Sequence, residues 1–250
     1  MVFSSIVFLC YFLPLFLLTY WLMPKRFKNT YLLISSVFFY AWAAPKFIFV
    51  ILGTTIVDFF LVKKMDKASR PTSRKFLLLA SLSLNIGLLF YFKYSNFFVE
   101  QVNYLLLHFG MKDLKWVALV LPIGISFYTF ETVTYVVDVY RRQHKPLKNF
   151  WDYQLYIILF PKLIAGPIIR FADFAPQIKD HFDFENADNR LKGFYRFVIG
   201  LSKKVIIANA VGEYATLFFE ANINSIGTYS AWLGALSYTF QIYFDFSGYS

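Results

Sequence analysis

A single cysteine, Cys10, stands in 250 residues, which excludes an internal disulfide. Histidine is nearly as scarce. His108 lies in a mixed segment, His144 in a basic loop and His181 in an acidic one. No two of them have metal-ligand spacing and none sits in an uncharged apolar run, so no metal site is expected. A glycine-rich phosphate loop, a serine nucleophile elbow and a Cys–His arrangement are all missing. Acids are few, 15 against 25 Lys and Arg. Internal repeats and low-complexity tracts are absent as well, which counts against an inverted-repeat transporter.

Apolar residues are abundant instead. They make up 58% of the chain, with a mean hydropathy of +0.51, above the ~45–50% usual for soluble domains. "VFSSIVFLCYFLPLFLLTYWLM" (Val2–Met23) carries no charge and is long enough for a bilayer, which takes ~20 apolar residues. It has no basic start and no small-residue cleavage site, so it reads as a retained helix rather than a signal peptide. "KFLLLASLSLNIGLLFYF", "WVALVLPIGISFYTF" and "YSAWLGALSYTFQIYF" repeat the pattern. The runs are continuous rather than alternating, which favours helices over a barrel. The fold class is all-α, with polytopic transmembrane helices and broken or re-entrant elements, in a single membrane domain, 1–250.

The positive charge explains orientation better than nucleic-acid binding. Three short loops, Lys25–Lys28, Lys63–Lys75 and Arg141–Lys148, hold thirteen of the Lys and Arg. The positive-inside rule puts all three in the cytoplasm; contact with anionic lipid would put them on the same side. Pro45 and Lys46 divide the stretch between the first two loops into two helices. Lys75–Phe92 is expected to cross outward, Lys93–Lys115 to lie as a separate interfacial helix, and Trp116–Tyr140 to return. Pro161 and Gly166-Pro167 break Phe150–Phe171, which must then be shielded by protein or line a cavity. Lys203-Lys204 is expected to interrupt Phe194–Phe219.

Polar groups inside apolar segments mark candidate sites, because each is costly there. Glu131, Thr134, Tyr135 and Asp138 share one helix face, as the lining of a polar cavity or as a structural seam with Asp138 paired to Arg141 or Arg142. Lys162 and Arg170 flank the Gly-Pro break, either to receive an anionic group or to snorkel to headgroups. Gln241, Asp245 and Gly248 share a face of the last segment. Asp245 there calls for a partner, as an ion pair with a residue outside this chain or in catalysis.

The blocks "LPIGISFYTFETVTYVVDVYR", "FPKLIAGPIIRF", "GLSKKVIIAN" and "QIYFDFSGYS", in this order, resemble the membrane-bound O-acyltransferase family, in its bacterial alginate O-acetyltransferase-like branch. "VFSSIVFLCYFLPL" and "SSVFFYAWAAPKF" match its N-terminal pattern. Lys162 and Glu131 stand where that branch commonly has glutamine. The resemblance implies a ring of helices around a channel open to both faces, in a multi-pass protein of the bacterial cytoplasmic (inner) membrane. The activity it implies is transfer of an acyl group, usually acetyl, to a hydroxyl of an extracytoplasmic polysaccharide such as alginate. The donor is acetyl-CoA or an acyl-carrier thioester, with no bound cofactor. Membrane lipids, a periplasmic acetyltransferase partner protein and the polysaccharide are the implied partners, with no nucleic acid. Pro161, Gly166, Pro167, Arg170, Gln241, Asp245 and Ser247 fall in blocks that form the channel wall. The family's general-base histidine lies well after the last block, so its counterpart is expected beyond Ser250 and matches none of the three histidines here. The expectation is therefore the N-terminal portion of a longer enzyme, cut at Ser250, without a catalytic residue and inactive alone. D-alanyl transfer to teichoic acid is the nearest alternative, and a channel or transporter without catalysis is the alternative of another class.

Overall fold

A computed structural model describes residues 3–163, 169, 171–179, 185–220 and 227–250. The fold is all-α, with no strand among the described residues. They fall into two compact units.

The larger unit holds α2 (Lys28–Ala43), α3 (Ile48–Lys67), α4 (Pro71–His108), α5 (Ile125–Tyr140), α6 (Phe150–Ile158), α7 (Phe160–Leu163) and α8 (Phe171–Lys179, to Ile178). Its breaks follow local rules. Ala44, ahead of Pro45, leaves helical geometry at ψ 69°, as expected of a residue whose α region is crowded by the next ring. Arg70 is extended and Pro71 opens α4, where a missing N–H costs nothing. Gly124 starts α5 at φ 77°, a conformation open to a residue without Cβ. Leu159, at ψ 114°, separates α6 from α7, so the expected broken element is present. The N–H of Phe160 at this break donates to Ser36 Oγ at 3.1 Å. Tyr153 to Ile158 are buried, so the break is shielded by protein.

Two expected boundaries are corrected. α4 does not stop near Lys93. It runs for 38 residues, about 57 Å at 1.5 Å per residue, because neither proline nor glycine interrupts Lys93–His108. Trp116–Tyr140 is not one helix, because residues 111–122 are non-helical and α5 begins only after Pro122 and Gly124. Two asparagines of α4 hold this segment through its backbone. Asn96 donates to Leu119 O and accepts from Leu119 N, both at 2.9 Å. Asn103 does the same for Leu114, at 3.2 and 2.7 Å. Each amide satisfies two backbone groups that a helix would have paired internally.

The smaller unit holds α1 (Val7–Leu22, opening with π-type turns), α9 (Ala187–Ser202), α10 (Asn209–Glu220) and α11 (Thr228–Tyr249). Asn186 caps α9 by accepting from Asn189 N at 2.8 Å, a standard N-cap bond. The expected interruption at Lys203-Lys204 is absent: π-type turns over Lys203–Ala208 carry α9 into α10 without a break. α11 packs antiparallel along this composite helix. A Cβ on Gly248 would come 2.8 Å from Gly200 O, one on Gly212 would meet Gln241, and one on Gly234 would meet Phe218. Gly234, Gln241 and Gly248 repeat every seven residues, so one face of α11 follows the groove of its neighbour. Ser250 caps α11, its N–H donating to Phe246 O at 3.0 Å.

Polarity in the larger unit is arranged inside out. Ser36, Thr54, Thr55, Asp58, Ser81, Asn85, Glu131, Gln154 and Lys162 are buried, while Phe38, Phe49, Phe60, Phe76, Ile86 and Phe90 are exposed. Soluble monomers rarely expose apolar surface on this scale. One described helix, Pro71–His108, is long and apolar enough to cross a bilayer by length and composition, and Val7–Leu22 is a shorter apolar helix.

Candidate functional site

The polar interior of the larger unit is built on α5. Glu131 and Tyr135 are buried on its inner face, and Thr134 and Asp138 are half-buried beside them. The Tyr135 hydroxyl accepts from Leu147 N at 3.0 Å, which draws the basic loop after α5 inward. Opposite Glu131 stands Lys162 of α7, and its Nζ donates to Glu131 Oε2 at 2.9 Å. Both side chains are nearly inaccessible, at 3% and 4%. Lys162 therefore neither snorkels to a headgroup nor waits unpaired for an anion. The two positions that depart from the glutamines of the resembling branch face each other and neutralise each other.

Aromatic rings complete the surroundings of this cation. The Lys162 ammonium lies 3.9 Å from the ring centroid of Tyr156 and 4.9 Å from that of Phe174, within cation–π range. Tyr135 and Tyr156 both pack on Phe171, at 4.7 and 5.3 Å between centroids. The high aromatic content is thus partly interior packing, as large rings with polar tips allow.

A second polar cluster lies between α3 and α4, and sequence reasoning missed it. Asp58 is fully buried. Its carboxylate accepts from Ser81 Oγ at 2.5 Å and from Asn85 Nδ2 at 2.6 Å. "TTIVDFF" carried a signal for it, an acid in an uncharged run. Across from it, Thr55 Oγ1 lies 2.6 Å from Gln154 Oε1, joining α3 to α6.

Asp138 forms no ion pair among the described residues, so the expected pairing with Arg141 or Arg142 is not formed. The end of α5 is closed instead by Arg74 of α4, which donates to Tyr140 O at 2.8 Å. Pro161 is exposed at the second position of α7. Gly166, Pro167, Arg170 and His181 lie outside the described residues. His144 is half-buried, with its ring 5.8 Å from that of Phe171. His108 closes α4 at an exposed position.

In the smaller unit, Asp245 is ion-paired with Lys204 of the π-type stretch. Its partner is within this chain, which corrects the reading of an ion pair with a residue outside it. The Gln241 side chain covers Gly212 and borders an open groove of about 630 Å³ with Asn209, Glu213, Thr216 and Leu217. The Ser247 hydroxyl is buried without a partner among the described residues. Among those residues, no three His, Cys, Asp or Glu side chains are grouped so as to hold a metal ion.

Helices with apolar exteriors around buried charged and amide groups define a membrane-associated helical protein with a polar interior. No family model matches the chain. Over its whole length it is 41% identical, across 251 residues, to the Pseudomonas aeruginosa protein named "Probable alginate O-acetylase AlgI", 48% of which it covers. It is 32% identical across 279 residues to the peptidoglycan O-acetyltransferase of Helicobacter pylori, again over the whole chain and 52% of that protein. The teichoic acid D-alanyltransferase of Bacillus subtilis matches at 32% over 137 residues, 51% of this chain and 32% of the relative. The chain spans about half the length of the curated relatives it matches over its full extent. This likeness, sustained over the whole chain, bears out the resemblance to the membrane-bound O-acyltransferase family in its alginate O-acetylase-like branch.

Proposed function

We propose that this chain forms the helical wall and polar interior of an O-acetyltransferase that modifies an extracytoplasmic polysaccharide of the alginate type. The observation that carries the reading is the 41% identity, sustained across the whole chain, to an alginate O-acetylase. The match to the D-alanyltransferase covers only half of the chain, which favours acetyl over D-alanyl as the transferred group. The buried charged interior fits a path for polar groups through an apolar surround.

On this reading the protein is multi-pass in the bacterial inner membrane, with its three basic loops toward the cytoplasm. That places the acyl thioester donor, acetyl-CoA in preference to a carrier-bound acyl group, at the basic end, and the polymer hydroxyl and a periplasmic acetyltransferase partner at the other. Glu131, Lys162 and Pro161 belong to the wall of the path in the larger unit, as Gln241, Asp245 and Ser247 do in the smaller. Attack of a hydroxyl on a thioester needs a positioned general base. His108 and His144 stand outside the polar interior, so the proposal assigns the base to neither. Membranes that hold only these 250 residues are then expected to transfer no acetyl groups.

The test is ester analysis of cell-envelope polymers from cells with and without the gene. The reading expects acetyl esters on polysaccharide to fall while D-alanyl esters stay constant. A selective fall in D-alanyl esters would favour the second activity, and no change in either would contradict acyl transfer.

A further inference from the structure

Resting on the reading that α5 and α7 line the acyl path, we propose that Lys162 is a positioning residue: it seats α7 through a three-sided cation box of Glu131, Tyr156 and Phe174. α7 has four residues, about one turn, and so short a helix cannot hold its own conformation. Its place is set from outside. The Phe160 N–H is taken by Ser36, and the Phe160 ring packs on Phe39 at 5.4 Å. Leu163 is buried in the core, and Lys162 adds the charged attachment. One ammonium reaches a carboxylate on α5, a ring face on α6 and a ring on α8.

The box is polar in one direction only. A ring face attracts a cation and repels an anion. Exchanging the two charges would set a carboxylate against Tyr156 and Phe174, although the ion pair itself would survive. Two amides at these positions could keep the hydrogen bond between α5 and α7 with no buried charge. A single neutralisation is worse than either, because it strands the other charge in an apolar interior.

The experiment uses the 250-residue chain with Cys10→Ser, removing its exposed thiol, and a reporter Leu163→Cys at a buried position of α7; half-buried Leu159→Cys serves as a second reporter. Maleimide reaction rates and melting in detergent are measured together. K162Q and E131Q alone are expected to raise the reporter rate by about tenfold through local opening. E131Q/K162Q returns it to within about twofold of the parent, and E131K/K162E stays fast. Rescue by the charge swap equal to that by the double glutamine would remove the aromatic box from the account. Unchanged reporter rates with lowered melting would make the pair a stabiliser and not a positioning device. Neither readout depends on turnover, so unchanged acetyl esters on the envelope polymers of cells without the gene would overturn the functional reading and leave this one to its own measurement.

Discussion

Lys162 and Glu131 show how a charge becomes tolerable at depth. Each would be expensive to bury alone, and together they satisfy each other with two rings at hand. Asp58 follows another route, with hydrogen bonds from Ser81 and Asn85 filling both carboxylate oxygens. Asp58→Ala should therefore lower stability by roughly 1–3 kcal/mol, the cost of leaving buried donors unmet, read as a lower melting temperature in detergent. A variant as stable as the parent would mean that Ser81 and Asn85 find other partners. The sequence flags Glu131 and Lys162 singly, but their pairing spans 31 positions and no local pattern encodes it. Asp58 carries the same local signal, an acid in an uncharged run, but its donors come 23 and 27 residues later and no local pattern encodes them.

Elements were legible where chemistry is local. Prolines 45 and 161 mark breaks where backbone restriction requires them. Apolar composition alone misled at residues 111–122, because side chains of α4 hold that backbone outside a helix. Asn103→Ala is expected to free Leu114 and raise amide hydrogen exchange across this segment while α5 stays protected; equal exchange would show that the clamp is not needed. The lysine pair at 203–204 misled in the other direction, since an ion pair to α11 lets the helix continue through it. Close helix contact also has a sharp test. A Cβ on Gly200 would collide with Gly248 O, whereas one on Gly53 meets nothing. Gly200→Ala should cost about 1–3 kcal/mol, while Gly53→Ala should gain about 0.5–1 kcal/mol from helix propensity. Melting curves of the two variants check both signs.

At the scale of the whole chain, charge and apolar surface tell one story. In the larger unit, the start of α2, the end of α3, the start of α4 and the loop after α5 lie at one end. Arg74 of α4 bonds to Tyr140 O of α5, Phe59 of α3 meets Phe150 edge-on, and Asn29 and Thr30 of α2 line one cavity with Trp151 and Asp152, next to Phe150 in the chain. The fold thus gathers basic residues of that unit at one end, the arrangement that the proposed orientation needs. Cysteines introduced at Lys67 and Lys145 should resist impermeant reagents added outside intact cells and react after permeabilisation. Reaction at either without permeabilisation would reverse the proposed topology.

Function enters at this same scale, through a match that covers the whole chain and about half of its relatives. The most direct test is exchange of parts. The matching half of the Pseudomonas aeruginosa alginate O-acetylase is replaced by these 250 residues, and alginate acetyl esters are measured in cells lacking the native enzyme. The account predicts acetylated alginate from the chimera and none from the chain expressed alone. A chimera that reaches the membrane intact yet leaves alginate unacetylated would contradict it, as would acetylation by the chain alone.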